Sequence, residues 1–92
     1  MEITKTMYAI RHKESGLYYF SGLVQEFTDF DTHIDFYGDK SMLEDKKTPL
    51  VASEVKEEYE DLFSKYLNKY GMYAVPIEDL ELVEFEYSLK QK

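Results

Sequence analysis

Apolar residues change their spacing several times along this chain, and each change predicts an element. Met7-Tyr8-Ala9-Ile10-Arg11 is rich in strand formers, Lys13-Glu14-Ser15-Gly16 reads as a turn, and Leu17-Tyr18-Tyr19-Phe20 returns, so the stretch predicts a hairpin. Between Thr32 and Tyr37, Ile34 and Phe36 alternate with His33 and Asp35, which predicts a third strand ended by Gly38-Asp39-Lys40. Ser41 to Lys47 mixes charges with only Met42 and Leu43 apolar and reads as a loop. Val51, Val55, Tyr59, Leu62, Phe63, Tyr66, Leu67 and Tyr70 then recur at steps of three and four, the signature of a long amphipathic helix closed by Gly71. Its start is placed at Ser53 in preference to Thr48-Pro49, after a short extended Leu50-Val51-Ala52. Met72 to Ile77 predicts a strand that Pro76 confines to an edge or to its own end. Val83, Phe85, Tyr87 and Leu89 alternate with Glu84, Glu86 and Ser88, giving a last strand with one wet face.

The order is β-β-β-α-β-β. Because the helix and the alternating strands each have one apolar side, the economical architecture is α+β, one helix packed across one face of a mostly antiparallel sheet. Residues 1–92 make a single domain, for a chain of this length buries only roughly 60 to 65% of its unfolded surface, enough for one modest core. There is no internal repeat.

Charge changes the picture more than composition does. The chain carries 19 Asp and Glu against 11 Lys and Arg, a net charge of -8. Nucleic-acid phosphates and anionic lipid surfaces repel such a protein, so no direct nucleic-acid partner and no membrane partner is expected. Arg11, His12 and Lys13, with Lys46 and Lys47, are too sparse to override the total. No apolar run approaches the ~18 residues of a spanning helix, and Met1 to Lys5 lacks a secretion signal's apolar centre. The absence of Cys fits a reducing interior, so a cytoplasmic location is expected.

The carboxylates fall into three runs. Glu54, Glu57, Glu58, Glu60 and Asp61 lie on the polar side of the predicted helix, where Glu54 with Glu58 and Glu57 with Asp61 are like-charge i,i+4 pairs that cost stability. Glu78, Asp79, Glu81, Glu84 and Glu86 form a second run. On a strand Glu84 and Glu86 would stand about 6.6 Å apart, close to two phosphate steps of a DNA strand. Glu26, Asp29, Asp31, Asp35 and Asp39 form the third, interleaved with Phe27, Phe30, Phe36 and Tyr37 as an acidic aromatic segment. Asp29-Phe30-Asp31-Thr32-His33 alternates donors, but an EF-hand would need Gly at Ile34 and Glu at Lys40, so no metal is expected. His12 and His33 are the only neutral-pH bases, no Ser has a nucleophile-elbow context, and the four Gly are isolated, so no catalytic site and no cofactor is expected.

Tyr8-Ala9-Ile10-Arg11-His12-Lys13-Glu14-Ser15-Gly16-Leu17-Tyr18-Tyr19, the helix near Ser53 and Tyr73-Ala74-Val75-Pro76-Ile77 resemble short accessory proteins of phages and prophages of low-GC Gram-positive bacteria. The resemblance covers about half the chain and carries over no residue role. It implies an accessory protein of the inhibitor type, akin to anti-CRISPR proteins, anti-restriction proteins and inhibitors of uracil-DNA glycosylase, several of which set carboxylates where DNA phosphates would lie. The expectation is a cytoplasmic phage protein that mimics DNA and occupies a basic cleft of a host defence or DNA-processing protein. Its contact residues would be Glu54, Glu57, Glu58, Glu60 and Asp61, then Glu84 and Glu86, with Asp29, Asp31 and Asp35. The alternative is a structural adaptor or homodimer that self-associates through its sheet edge or aromatic loop; a protein that sequesters a nucleotide would want Lys or Arg beside its rings.

Overall fold

The chain's first and last strands lie side by side for their whole length. In a computed structural model, which describes residues 2–29, 34–44 and 48–90, β1 (Glu2–His12) pairs antiparallel with β7 (Leu80–Lys90) without a break in register, from Glu2 opposite Lys90 to His12 opposite Leu80. The predicted hairpin is present: β2 (Tyr18–Ser21) returns beside β1 with Arg11 opposite Tyr18, around a turn in which Gly16 takes φ 76°. β3 (Gln25–Thr28) pairs with β2, and β5 (Glu54–Val55) adds to β3 in parallel, giving a mixed five-stranded sheet in the order β5-β3-β2-β1-β7. β4 (Leu50–Ala52) and β6 (Tyr73–Val75) form a second, two-stranded antiparallel sheet.

The α+β class and the helix on one face of the sheet stand, but the helix is short, and the expected β-β-β-α-β-β order gives way to five strands before the helix and two after it. It runs from Glu57 to Tyr66 as a 3-10 turn, the α-helical turn Glu60–Phe63 and a second 3-10 turn, not from Ser53 to Tyr70. Val51 and Val55, set in one helical stripe by their step of four, belong to different strands of different sheets, β4 and β5. Here Leu50 and Ala52 are buried with Val51 outside, and the Ser53 and Lys56 N–H groups donate to Gln25 O and Phe27 O of β3. Beyond Tyr66 the backbone extends at Leu67, Asn68 Oδ1 accepts the N–H groups of Tyr70 and Met72, and Gly71 takes φ 78°. Leu67 and Tyr70, placed in the helical stripe by their spacing, are accordingly exposed.

The expected third strand is displaced. β3 lies at Gln25–Thr28, ahead of the predicted Thr32 to Tyr37, where residues 34–36 are not in a strand and Thr32 and His33 lie outside the described residues. Of the described residues in that stretch only Tyr37 pairs, through a single bridge to Tyr8, while Asp35 N–H donates to Tyr19 O; the segment wedges between β1 and β2 where they diverge. Ser41–Glu44, read as loop, is a helical turn opened by Asp39 Oδ1 on Ser41 N–H at 2.9 Å. β6 ends at Pro76 as expected, and the final strand begins at Leu80 after a 3-10 turn, ahead of Val83.

One face of the large sheet builds the core: Ile10, Tyr19, Phe27, Val55 and Leu80 pack with Phe63 and Tyr66 of the helix and with Leu50, Ala52 and Val75 of the small sheet. Phe63 is fully buried, its ring 5.3 Å from that of Phe27 and 6.3 Å from that of Tyr73. The other face carries a thinner apolar group, in which Phe85, opposite Met7 in register, meets Tyr18 and Phe36 at 6.0 and 5.4 Å.

Candidate protein-binding surface

Whether a carboxylate is free to meet a partner depends on what it already holds. Asp29 Oδ2 lies 2.6 Å from Lys56 Nζ, and that hydrogen bond raises the lysine's pKa. Asp35 Oδ2 accepts Ser21 N–H at 2.9 Å and Tyr37 O–H at 3.3 Å, fixing the wedge. Two of the three contact residues expected from the acidic aromatic segment are thus engaged within the fold, and Asp31 lies outside the described residues. Glu14 pairs with Lys65 at 3.1 Å, and Glu81 accepts Arg11 Nε at 2.8 Å.

The corner between β5 and the helix is different. Glu54, Glu57, Glu60 and Asp61 are exposed and make no ion pair among the described residues; Glu58, also exposed, stands 3.7 Å from Lys56. These five do not share a helix face as their spacing predicts, because Glu54 belongs to β5 and Glu57, Glu58, Glu60 and Asp61 to the turns that follow. Strand and helix nevertheless bring Glu54, Glu57 and Glu60 to one open cleft of about 330 Å³ with Ser53, Val55 and Tyr73. Spacing alone had not singled out Glu26 as part of this corner. Parallel register sets it beside Glu54, a like-charge neighbour pair that destabilises the sheet. Glu84 and Glu86 lie at the far edge of the sheet, exposed, opposite Tyr8 and Thr6. Among the described residues no group of three or more His, Asp or Glu side chains is placed to hold a metal ion, and no helix is long and apolar enough to cross a membrane.

The most elaborate polar arrangement is buried. His12, 1% exposed, has Nε2 2.8 Å from Tyr66 Oη and Nδ1 2.8 Å from Ser15 Oγ, while Tyr66 O–H donates to Asp79 Oδ2 at 2.7 Å. Since Tyr66 spends its one proton on Asp79, His12 Nε2 must carry a hydrogen and donate it to Tyr66 Oη. Nδ1 is then an acceptor, which the Ser15 N–H at 3.2 Å requires. The ring is held neutral. Burial lowers its pKa against the opposing pull of Asp79 and Glu14, with Lys65 acting in the lowering direction, and burial likewise lifts Tyr66 far above the ordinary tyrosine range, aided by Asp79. Ser15 does not resemble a nucleophile, because the N–H groups of Lys13, Ser15, Gly16 and Leu17 are all taken by Asp79 O, His12 Nδ1, His12 O and Ser15 Oγ. None of these four remains to stabilise an oxyanion. The network ties the hairpin turn to the helix and to the start of β7; its sequence signal is a buried-face His three residues before Ser15-Gly16.

Compared with protein-family models, with curated proteins and with solved structures, the chain matches none.

Proposed function

We propose that the chain is an acidic binding protein of the phage inhibitor type, which docks on a basic, nucleic-acid-gripping surface of a host defence or DNA-processing protein and blocks it. The observation that carries this reading is the set of exposed carboxylates at the β5 and helix corner, Glu54, Glu57, Glu60 and Asp61, which make no ion pair among the described residues. Stability does not account for Glu54, whose place beside Glu26 costs the sheet free energy. A surface so charged accelerates encounter with an opposite field and is strongly screened by salt.

The test uses duplex DNA bound to basic host DNA-processing proteins and follows its displacement by fluorescence anisotropy at low and high salt. The native chain should displace DNA from its target more weakly as salt rises, and Glu54→Gln, Glu57→Gln, Glu58→Gln and Asp61→Asn together should weaken displacement by well over tenfold through lost charge complementarity. A folded quadruple variant that competes like the parent would remove this corner from the contact. The adaptor reading is favoured by the outer edge of β7, with which no strand pairs among the described residues, and it predicts concentration-dependent dimers in sedimentation with little salt dependence.

A further inference from the structure

The edge of the large sheet farthest from the acidic cleft has its own logic. β7 runs 11 residues along β1 in unbroken register, and among the described residues no strand pairs with its outer side. Such an edge turns alternate backbone N–H and C=O groups toward any extended chain that arrives. Beside it opens a groove of about 290 Å³ lined by Met7, Phe36, Phe85 and Glu86, in which Phe36 stays 43% exposed. Glu84 and Glu86 flank Phe85 on the opposite face of the strand and make no ion pair among the described residues. The nearby Lys40 is directed to the Tyr8 ring, 5.7 Å from its centroid.

We propose that β7 receives an extended segment of a basic partner protein by β-strand addition, with Lys or Arg opposite Glu84 and Glu86 and an apolar residue between them over Phe85 and the groove. Period-two pairing dictates this pattern, since residues opposite in a sheet share a face and their neighbours take the other. A second copy of the chain fits poorly. The two-fold register that brings two grooves together, centred on Phe85, sets Glu84 against Glu86 twice and joins two chains of net charge -8. The inference rests on the proposed engagement of a basic partner and adds backbone pairing at a named strand.

The probe is a synthetic ten-residue peptide alternating Lys and Val, titrated into the full isotope-labelled chain, with a Glu and Val alternation as control. Amide shifts should concentrate on residues 80–90 and Phe36. In Glu84→Lys, Glu86→Lys the Lys peptide should bind at least about tenfold more weakly and the Glu peptide more tightly, because the complementary charge has been reversed. Alternate amides of a strand face opposite edges, so N-methylating either all Lys or all Val residues separates the two sides. One methylated peptide should lose about tenfold and the other should not, for only one set of donors faces β7. If both methylated peptides bind like the parent, or if binding survives reversal of Glu84 and Glu86 and is lost in the quadruple corner variant, charge alone holds the peptide and strand addition is overturned while the basic-partner reading stands. Failure of that wider reading shows separately, as absence of DNA displacement. A concentration-dependent dimer through residues 80–90 that excludes the peptide overturns the proposal in favour of self-pairing.

Discussion

Tyr66→Phe removes one oxygen and leaves the ring that packs on Phe63 at 5.5 Å, so its effect isolates the buried network. That oxygen is the acceptor for His12 Nε2–H and its hydroxyl donates to Asp79, and with His12 1% exposed its loss takes away the protein acceptor of a buried N–H. Leaving a buried donor unsatisfied costs about 1 to 3 kcal/mol. Asp79 is only half-buried and recovers hydration, so it adds little. A domain of this size has roughly 5 to 15 kcal/mol in total, and each kcal/mol lowers Tm by about 4 to 8 °C. Thermal unfolding at neutral pH should therefore show a fall of about 4 to 24 °C, and urea unfolding a lower midpoint with the m-value unchanged. A double-mutant cycle sharpens the case. In a His12→Leu background there is no Nε2–H left to strand, so Tyr66→Phe should cost less than about 1 kcal/mol and the two changes should be non-additive. Should Tyr66→Phe lie within about 0.5 kcal/mol of the parent, the tautomer argument is wrong and the histidine has another acceptor.

Protonation of the same histidine gives a pH dependence of definite sign. The unfolded chain takes up a proton near the ordinary value of 6.5 while the folded ring resists it, so stability is present above 6.5 and falls as pH drops from there toward the lowered folded value. Denaturation midpoints over this range should slope for the parent and be flatter for His12→Asn. Phe63→Ala, at a fully buried ring, should cost about 3 to 5 kcal/mol and either sharply lower Tm or prevent folding; a parent-like melt would remove Phe63 from the core. Gly71→Ala meets no atom within 4 Å and should lose about 1 kcal/mol in urea unfolding from positive φ alone, so an unchanged midpoint would show that the turn relaxes.

Elements with local signals were legible: the Lys13 to Gly16 turn with its flanking strands, the stop at Pro76 and the alternation through Glu84 and Glu86 all reappear. What failed depended on partners distant in sequence. Thr4 and Thr6 carry no apolar signal and are strand only because Ser88 and Glu86 lie opposite, and Gln25–Thr28 is strand because β2 and β5 flank it. The helix lost its first turn because Glu54 and Val55 gain sheet bonds to β3 that helix propensity did not foresee. For the same reason the acidic corner was read as one helix face when it is a strand and a helix meeting. Asp29 and Asp35 were indistinguishable from free carboxylates until Lys56, Ser21 and Tyr37 were placed beside them.

Pairing between β1 and β7 joins Arg11 to Glu81 across 70 positions of sequence. During synthesis at about 5 to 20 residues per second, the first strand of the sheet therefore waits roughly 4 to 14 s for its neighbour to be made. Until Leu80 and Leu82 arrive the core is open on that side, and β1 is an unfinished edge with Ile10 unburied. High contact order of this kind slows folding and lengthens exposure to neighbouring nascent chains. By the time Leu80 is added, Glu14, Glu26 and the acids from Glu54 to Asp61 are already translated, and like charge of that kind opposes association between half-made chains.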